Sequence, residues 1–326
     1  MAKKYKQLSR EERDQLYRQH AAGITGAIIA HSLGRPTSTI TRELRRNSKD
    51  GMYLPDTAHS LTKERRWRGS KIERDDRLRG YITSQIAMAR WSPGRLAGRM
   101  RHDKKPYYAC AETIYRFIYS PAGASYRLMQ HLFKAKPKRT GKQGRKARKT
   151  PIPNRIPISL RPEAANNRTE YGHWEGDLVL YQRQKENLLT MQERTSRLLL
   201  IAKNPSKHKK GTHQMLRSRL KLFPENARKS ITFDNGGEFA DHQKLHIIGC
   251  QTFFCDPYAS WQKGGVEHAN GRIRRFLPKN TNLEDISHAE VDRIQRLINN
   301  MPMKCLNYQT PTEVFMSNFN NSCTSN

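Results

Sequence analysis

Apolar residues recur at helical spacing in LSREERDQLYRQHAAGITGAIIAHSLGRPTSTITRELRRN, residues 8–47. Ser9 followed by Glu12 is a capping box, and Leu16 with Tyr17 gives the helix behind it an apolar stripe. Gly23 ends that helix. A second, short helix fits residues 25–33 and buries Ile28, Ile29 and Leu33, and Gly34-Arg35-Pro36 breaks it. A third starts near Ser38 with Ile40 and Leu44 turned inward. A helix, a short helix, a glycine-containing turn and a helix make a helix-turn-helix. A second unit of similar shape lies in WSPGRLAGRMRHDKKPYYACAETIYRFIYS, residues 91–120. Ser92 caps it, Pro93 takes the first helical position, and Leu96 and Met100 face inward. Residues 111–119 then form a helix on Ile114, Phe117 and Ile118. Between the units, LTKERRWRGSKIERDDRLRG alternates charge as a solvated connector does.

From about residue 171 the period shortens. GHWEGDLVLY, NLLTMQER and SRLLLIAK read as three strands close enough for an antiparallel meander. GTHQMLRSRLKLF is a helix on Met215, Leu216, Leu220 and Phe223. SITFDNGGEF is a strand running into Asp-Asn-Gly-Gly, followed by a short helix and the strand CQTFFCDP. SWQKGGVEHANGRIRRFL opens on Gly264-Gly265 and reads as a helix through Glu267. The order βββαβαβα belongs to the ribonuclease H-like fold. The predicted class is a mixed α+β and α/β multidomain chain, all-α helix-turn-helix units followed by a mixed-sheet core. The expected divisions are a helix-turn-helix domain at 1–50, a second helical region at 51–133, a basic linker at 134–160 and the core at 161–326.

Charge sharpens this division. The 326 residues carry a formal charge of +32, with 36 Lys and Arg against 12 Asp and Glu in residues 1–150. Residues 151–326 carry 25 against 17. A polyanion-binding half is thus joined to a more neutral one, and nucleic acid is the first partner to consider. No apolar run has spanning length, so a membrane is not expected as partner. KAKPKRTGKQGRKARK, residues 134–149, is nine-sixteenths Lys and Arg and cannot fold on its own apolar surface. Five scattered cysteines without a CxxC pair point to neither zinc nor disulfides, and to a reducing cytoplasm. His242 and His246 sit at i,i+4 spacing beside Asp241, but no further ligands follow at zinc spacing.

Three acids stand where the predicted order would bring them together. Asp177 lies in the first strand of the core, Asp234 at the end of the fourth, and Glu267 on the helix after the fifth, with gaps of 57 and 33 residues. Two-metal phosphoryl transfer needs clustered carboxylates, because hard Mg2+ ions prefer oxygen and two must flank one phosphate. Asp177 is set among apolar neighbours, where an unpartnered charge is costly. Glu175, Glu193, Glu238 and Asp256 are the competing acids, readable as supporting or structural groups. For DNA, the third helix offers Thr37, Ser38 and Thr39 at its start and Arg42, Arg45 and Arg46 on its outer face. Thr113 and Arg116 of the second unit, and Arg272, Arg274, Arg275 and Lys279 around the last helix, complete the candidate contacts. His268 either reaches a scissile phosphate or stands as an ordinary surface histidine.

These residues resemble the IS30-type insertion-sequence transposases over residues 8–315, nearly the whole chain. The resemblance rests on five ordered blocks: GRPTSTITRELRRN (34–47), GHWEGDLV (172–179), TFDNGGEF (232–239), FCDPYASWQKGGVEHANGRIRRFLPK (254–279) and LNYQTPTEVF (306–315). The family's catalytic aspartates fall on Asp177 and Asp234 and its glutamate on Glu267. The resemblance implies DNA strand cleavage and transfer with Mg2+, two ions per site, Mn2+ being able to substitute. It also implies the element's terminal inverted repeats and target DNA as partners, and a dimer or larger assembly on DNA, within the bacterial cytoplasm. The chain departs from the pattern twice. His268-Ala269 stands where relatives tend to carry Asn-Thr, and Met301-Pro302-Met303-Lys304 where they favour Arg-Pro-Arg-Lys. The alternative is a DNA-binding regulator derived from a transposase whose core no longer cuts. A structural RNA-binding protein is a third reading, which the ordered acidic triad disfavours.

Overall fold

The computed structural model describes residues 7–49, 51–66, 69–132, 152–182, 184–257 and 259–323. Most of the expected basic linker lies outside them. The chain forms two units, residues 1–74 and 75–326.

In the first unit, α1 (Arg10–Ala21), α2 (Gly26–Ser32) and α3 (Thr37–Asn47) form where the spacing places them. Ser9 and Glu12 close the capping box on α1 in both directions. A two-stranded hairpin, β1 (Ser48–Lys49) and β2 (Met52–Tyr53), leads to α4 (Pro55–Arg66). Leu16, Ile29 and Ile40 bury together with Tyr53 and Ala58, so the core needs the hairpin and α4 as well as the three helices. A division at residue 50 would cut through it. Ile28 is 60% exposed, contrary to its expected burial, because α2 turns Ile29 and Ala30 inward and its neighbour outward. The buried Arg13 is satisfied by Glu43 at 2.6 Å and by the Thr62 hydroxyl, tying α1 to α3 and α4.

The second unit opens with helices packed on Leu78, Ile82, Ile86, Leu96, Met100, Ile114 and Phe117. After α5 (Lys71–Arg74), the four-residue helix that ends the first unit, come α6 (Asp76–Ala87), α7 (Pro93–His102), α8 (Ala111–Ile118) and the short α9 (Pro121–Ala124). The expected solvated connector is therefore broken into pieces, and α6 buries a full apolar stripe. Pro93 starts α7 at its first turn, as expected, although Ser92 makes no side-chain cap.

After α10 (Glu163–Asn167) come β3 (His173–Leu180), β4 (Asn187–Glu193) and β5 (Leu199–Asn204), with β4 antiparallel to both β3 and β5. Then follow α11 (Lys209–Leu220), β6 (Ser230–Phe233), β7 (Gln251–Phe254), α12 (Gly264–Ile273), α13 (His288–Asn299) and α14 (Pro311–Cys323). The sheet order is β5-β4-β3-β6-β7, with β6 and β7 parallel to β3. This is the ribonuclease H-like arrangement. Period-2 alternation sends Trp174, Leu178, Leu189 and Met191 to one face, against Leu216, Phe239 and Phe315. Val179, Leu188, Leu199 and Ile201 go to the other, against Ala269, Ile273, Ile294 and Ile298. Among the described residues no helix is long and apolar enough to cross a membrane, and Cys110, Cys250, Cys255 and Cys305 are free.

Candidate active site

Sheet register places the first two acids. Glu175 pairs with Thr232 across the parallel β3–β6 ladder, an offset of 57 residues. Asp177 and Asp234 share that offset, so they stand level on neighbouring strands, Asp234 one step beyond the end of β6. The odd-numbered residues of β3 face α12, and Asp177 lies on that side with Val179.

Lys263, just ahead of α12 and 4% exposed, places Nζ 3.2 Å from Asp177 Oδ1 and 3.2 Å from Asp234 Oδ2. It also donates to the Gly176 carbonyl at 3.2 Å. A cation thus stands between the two carboxylates. Asn270 Nδ2 donates to Asp177 Oδ2 at 2.7 Å, while its Oδ1 accepts from the Thr190 hydroxyl at 2.9 Å. Thr190 is the residue paired with Asp177 across the β3–β4 ladder, so strand and helix fix one another. On the Asp234 side, the Gly236 N–H donates to Oδ1 at 3.2 Å. Burial pushes the Asp177 carboxyl above its ordinary range, with Lys263 pulling the other way. Burial acts to lower the Lys263 ammonium, and the two aspartates overcome it, so its affinity for the proton rises.

Glu267 lies between Lys263 and Asn270 along the chain, three residues before Asn270 on α12, and its side chain is exposed. Among the described residues no three His, Cys, Asp or Glu side chains close into a metal-holding group. The structure therefore brings Asp177 and Asp234 together and sets Glu267 on the adjoining helix turn. Glu238 is a nearer neighbour of the aspartates than its sequence suggested: burial first, then Asp234 and Asp177, push its carboxyl up. Oxygen donors at Asp177 and Asp234, two carboxylates with a single ammonium between them, suit a hard divalent cation in its place.

The other competing acids are structural. Glu175 is buried, pairs with Arg194 and accepts from the Val266 N–H at 2.9 Å, so it holds the first turn of α12. A Cβ at Gly265 would lie 2.7 Å from Glu175 Oε2, which explains a glycine there. Glu193 accepts from Ser196 N and Oγ and from Gly172 N. Asp256 is held by Gln262 at 2.8 Å. His242 and His246 share the Thr252 hydroxyl at 2.7 and 2.9 Å, and His242 also meets the Pro153 carbonyl.

A helix-turn-helix domain model matches residues 4–47. The transposase for insertion sequence element IS1086 of Cupriavidus metallidurans is 33% identical, over 95% of this chain and 94% of that one. Transposase InsI for insertion sequence element IS30A of Escherichia coli K12 is 32% identical, over 94% and 82%. The HTLV-2 integrase catalytic core domain, solved in complex with magnesium, aligns with 18% identity and a TM-score of 0.34, covering 44% of this chain and 95% of that one. The chain belongs to the IS30 family of insertion-sequence transposases.

In this transposase family member the candidate DNA contacts divide. Thr37, Ser38, Arg42, Arg45 and Arg46 are exposed on α3 and Thr39 is half-buried, as a reading helix requires. Asn47, the last residue of α3, is buried and accepts from Arg65. On α8, Arg116 is exposed beside Glu112 at 3.3 Å, and the Thr113 hydroxyl meets Cys110 Sγ at 3.2 Å. Lys279 is exposed. The expected open basic face on α12 is corrected by the fold. Arg272 is 4% exposed, because it continues the buried stripe of Val266 and Ala269. Arg274 stacks 4.3 Å over the Tyr181 ring and donates to the Leu180 carbonyl, and Arg275 reaches the Arg90 carbonyl at 3.3 Å. Lys263, Asn270 and Thr190 were not marked by residue type or local spacing. Only the register that sets Asp177 beside Thr190 reveals them.

Proposed function

We propose that the protein is a DNA transposase that binds the terminal inverted repeats of its own element and cuts and rejoins DNA strands. In this reading Asp177, Asp234 and Glu267 hold two Mg2+ ions, with Mn2+ able to replace them. The observation that carries it is Lys263 bridging Asp177 and Asp234, a cation-binding pair built on level strands. Family membership supplies the class of reaction. Bound metal would activate the attacking hydroxyl or water and stabilise the leaving 3′-oxygen. The protein's own part is positional. Asn270 and Thr190 hold the Asp177 carboxylate in one orientation, Glu175 seats the helix that carries Glu267, and Lys263 keeps two like charges tolerable before the metal enters. The hydroxyls and arginines of α3 would contact duplex DNA, whose ends are joined by a dimer or larger assembly.

The test is incubation of the purified chain with labelled DNA bearing the ends of its element, with Mg2+, beside Asp234→Ala and Glu267→Ala. Nicking and joining by the unmodified chain alone support the assignment. Tight binding by all three without cleavage by any would identify a DNA-binding regulator instead.

A further inference from the structure

Most buried arginines of this protein have acceptors. Arg13 has Glu43, Arg194 has Glu175 and the Ala165 carbonyl, and Arg161 has Asn166 and Thr232. Arg272 differs. Its Nε and Nη2 are buried without a hydrogen-bond partner, and Nη1 meets only the thioether of Met303 at 3.8 Å. Sulfur is a weak acceptor, so the guanidinium is almost wholly unsatisfied. Arg95, from α7, ends on the thioether of Met301 at 3.4 Å, two residues from Met303. Burial lowers Arg272 to about 10, and the charged groups acting on it are Arg95, Arg197 and the thiol of Cys305. Arg197 sits in the turn between β4 and β5, at φ 65°. The same three arginines press on His268, which is exposed one helical turn before Arg272. Several like charges gathered around a buried, donor-rich group, with no carboxylate acting on that group, is an arrangement that lacks its anion.

We propose that Arg95, Arg197 and Arg272, with His268 at the mouth, form a phosphate site that takes a backbone phosphate of the DNA strand brought to α12. The site rests on the transposase reading for its ligand's source, since an inorganic phosphate has the same chemistry. Arg272 supplies Nε–H and Nη2–H as a fork suited to two phosphate oxygens. Arg95 and Arg197 add charge from separate elements. Arg95 is half-buried and His268 exposed, so an anion would approach from their side and displace the groups that cover Arg272. Met301 and Met303 leave the guanidinium groups available, because a thioether yields a hydrogen bond to phosphate oxygen at little cost. Arg272 and Glu267 share α12, five residues apart on different faces, so DNA brought to this helix is the source assigned to the phosphate.

The experiment uses the full chain, Arg272→Met, and Arg95→Met as a second variant at a less buried position. Melting temperature is followed with inorganic phosphate against chloride at equal ionic strength, and binding of a duplex element end is followed against salt. Phosphate should raise the melting temperature of the unmodified chain and not of either variant. The slope of log affinity against log salt should fall by about one in each variant. No phosphate effect on the unmodified chain, or an equal one in both variants, overturns the site. A phosphate effect with unchanged DNA slopes overturns DNA as the source of the anion. Should the slopes shift while the unmodified chain cuts no DNA, the site stands and the enzymatic reading fails.

Discussion

Asn270 donates to the carboxylate of Asp177 at 2.7 Å, joining the helix that carries Glu267 to the central strand of the sheet. The Thr190 hydroxyl fixes which end of the amide faces Asp177. Replacing Asn270 by Ala leaves the carboxylate free to rotate. Groups that orient a metal ligand typically govern activity by about 10- to 100-fold. Asn270→Ala should lower strand joining by that factor and leave affinity for duplex DNA within about twofold. Equal losses in joining and binding, measured side by side, would make Asn270 a folding residue only.

Lys263 and a metal ion seek the same carboxylates. Lys263→Met removes the positive charge and keeps most of the volume, leaving Asp177 and Asp234 to repel. Without metal the variant should be destabilised, by on the order of 3 kcal/mol for a buried pair losing one partner. Mg2+ should then raise its melting temperature more than it raises that of the unmodified chain. An identical metal-induced shift in both proteins would show that the ammonium and the metal do not compete.

The two glycines opening α12 make a matched pair. A Cβ at Gly265 would meet Glu175 at 2.7 Å and Gln192 at 2.9 Å, whereas at Gly264 it would meet nothing within 4 Å. Gly265→Ala should cost about 1–3 kcal/mol by overpacking, and should abolish joining by lifting Glu267 away. Gly264→Ala should be close to neutral in both. Urea denaturation and the joining assay together test the pair, and similar behaviour of the two variants would contradict the close approach of Glu175.

Acid should loosen the contact between α7 and the start of α14. Arg99 donates to both carboxylate oxygens of Glu313 at 2.7 Å, and this hydrogen bonding holds Glu313 down at about 2, below its ordinary 4.5. A carboxyl depressed in the folded state contributes stability above its unfolded value and loses it as pH falls. The contribution should be full above about pH 4.5 and gone near pH 2. Against Glu313→Gln, the unmodified chain should therefore lose stability faster across that interval. Parallel curves of melting temperature against pH would rule the linkage out.

Local signals carried much of this fold. The capping box of Ser9 and Glu12, Pro93 at the head of α7 and the alternation along β3 each act within a few residues, and each element formed where they point. The pairing of Asp177 with Asp234 was also legible, because strand order fixes which acids become neighbours. Inward and outward faces were less so. Ile28 and Ile29 are chemically alike, and only packing against α3 and α4 decides which is buried. The charge on Arg272 argued for the surface, but its place on the α12 stripe overrode that. Nothing distinguishes Lys263 among 61 Lys and Arg until the loop before α12 folds over β3. Spacing around Val291, Ile294 and Ile298, behind Ser287 as N-cap with Glu290 three residues on, held the signal for α13.

The first unit closes its core on Leu16, Ile29, Ile40, Tyr53 and Ala58, none of which lies among the exposed residues 37, 38, 42, 45 and 46 of α3. Substitution at those five positions leaves the packing untouched. On the proposed reading of α3 as the DNA-contacting helix, a lineage could therefore re-tune which DNA ends it recognises without endangering either its fold or its chemistry, and so follow its own termini as they drift.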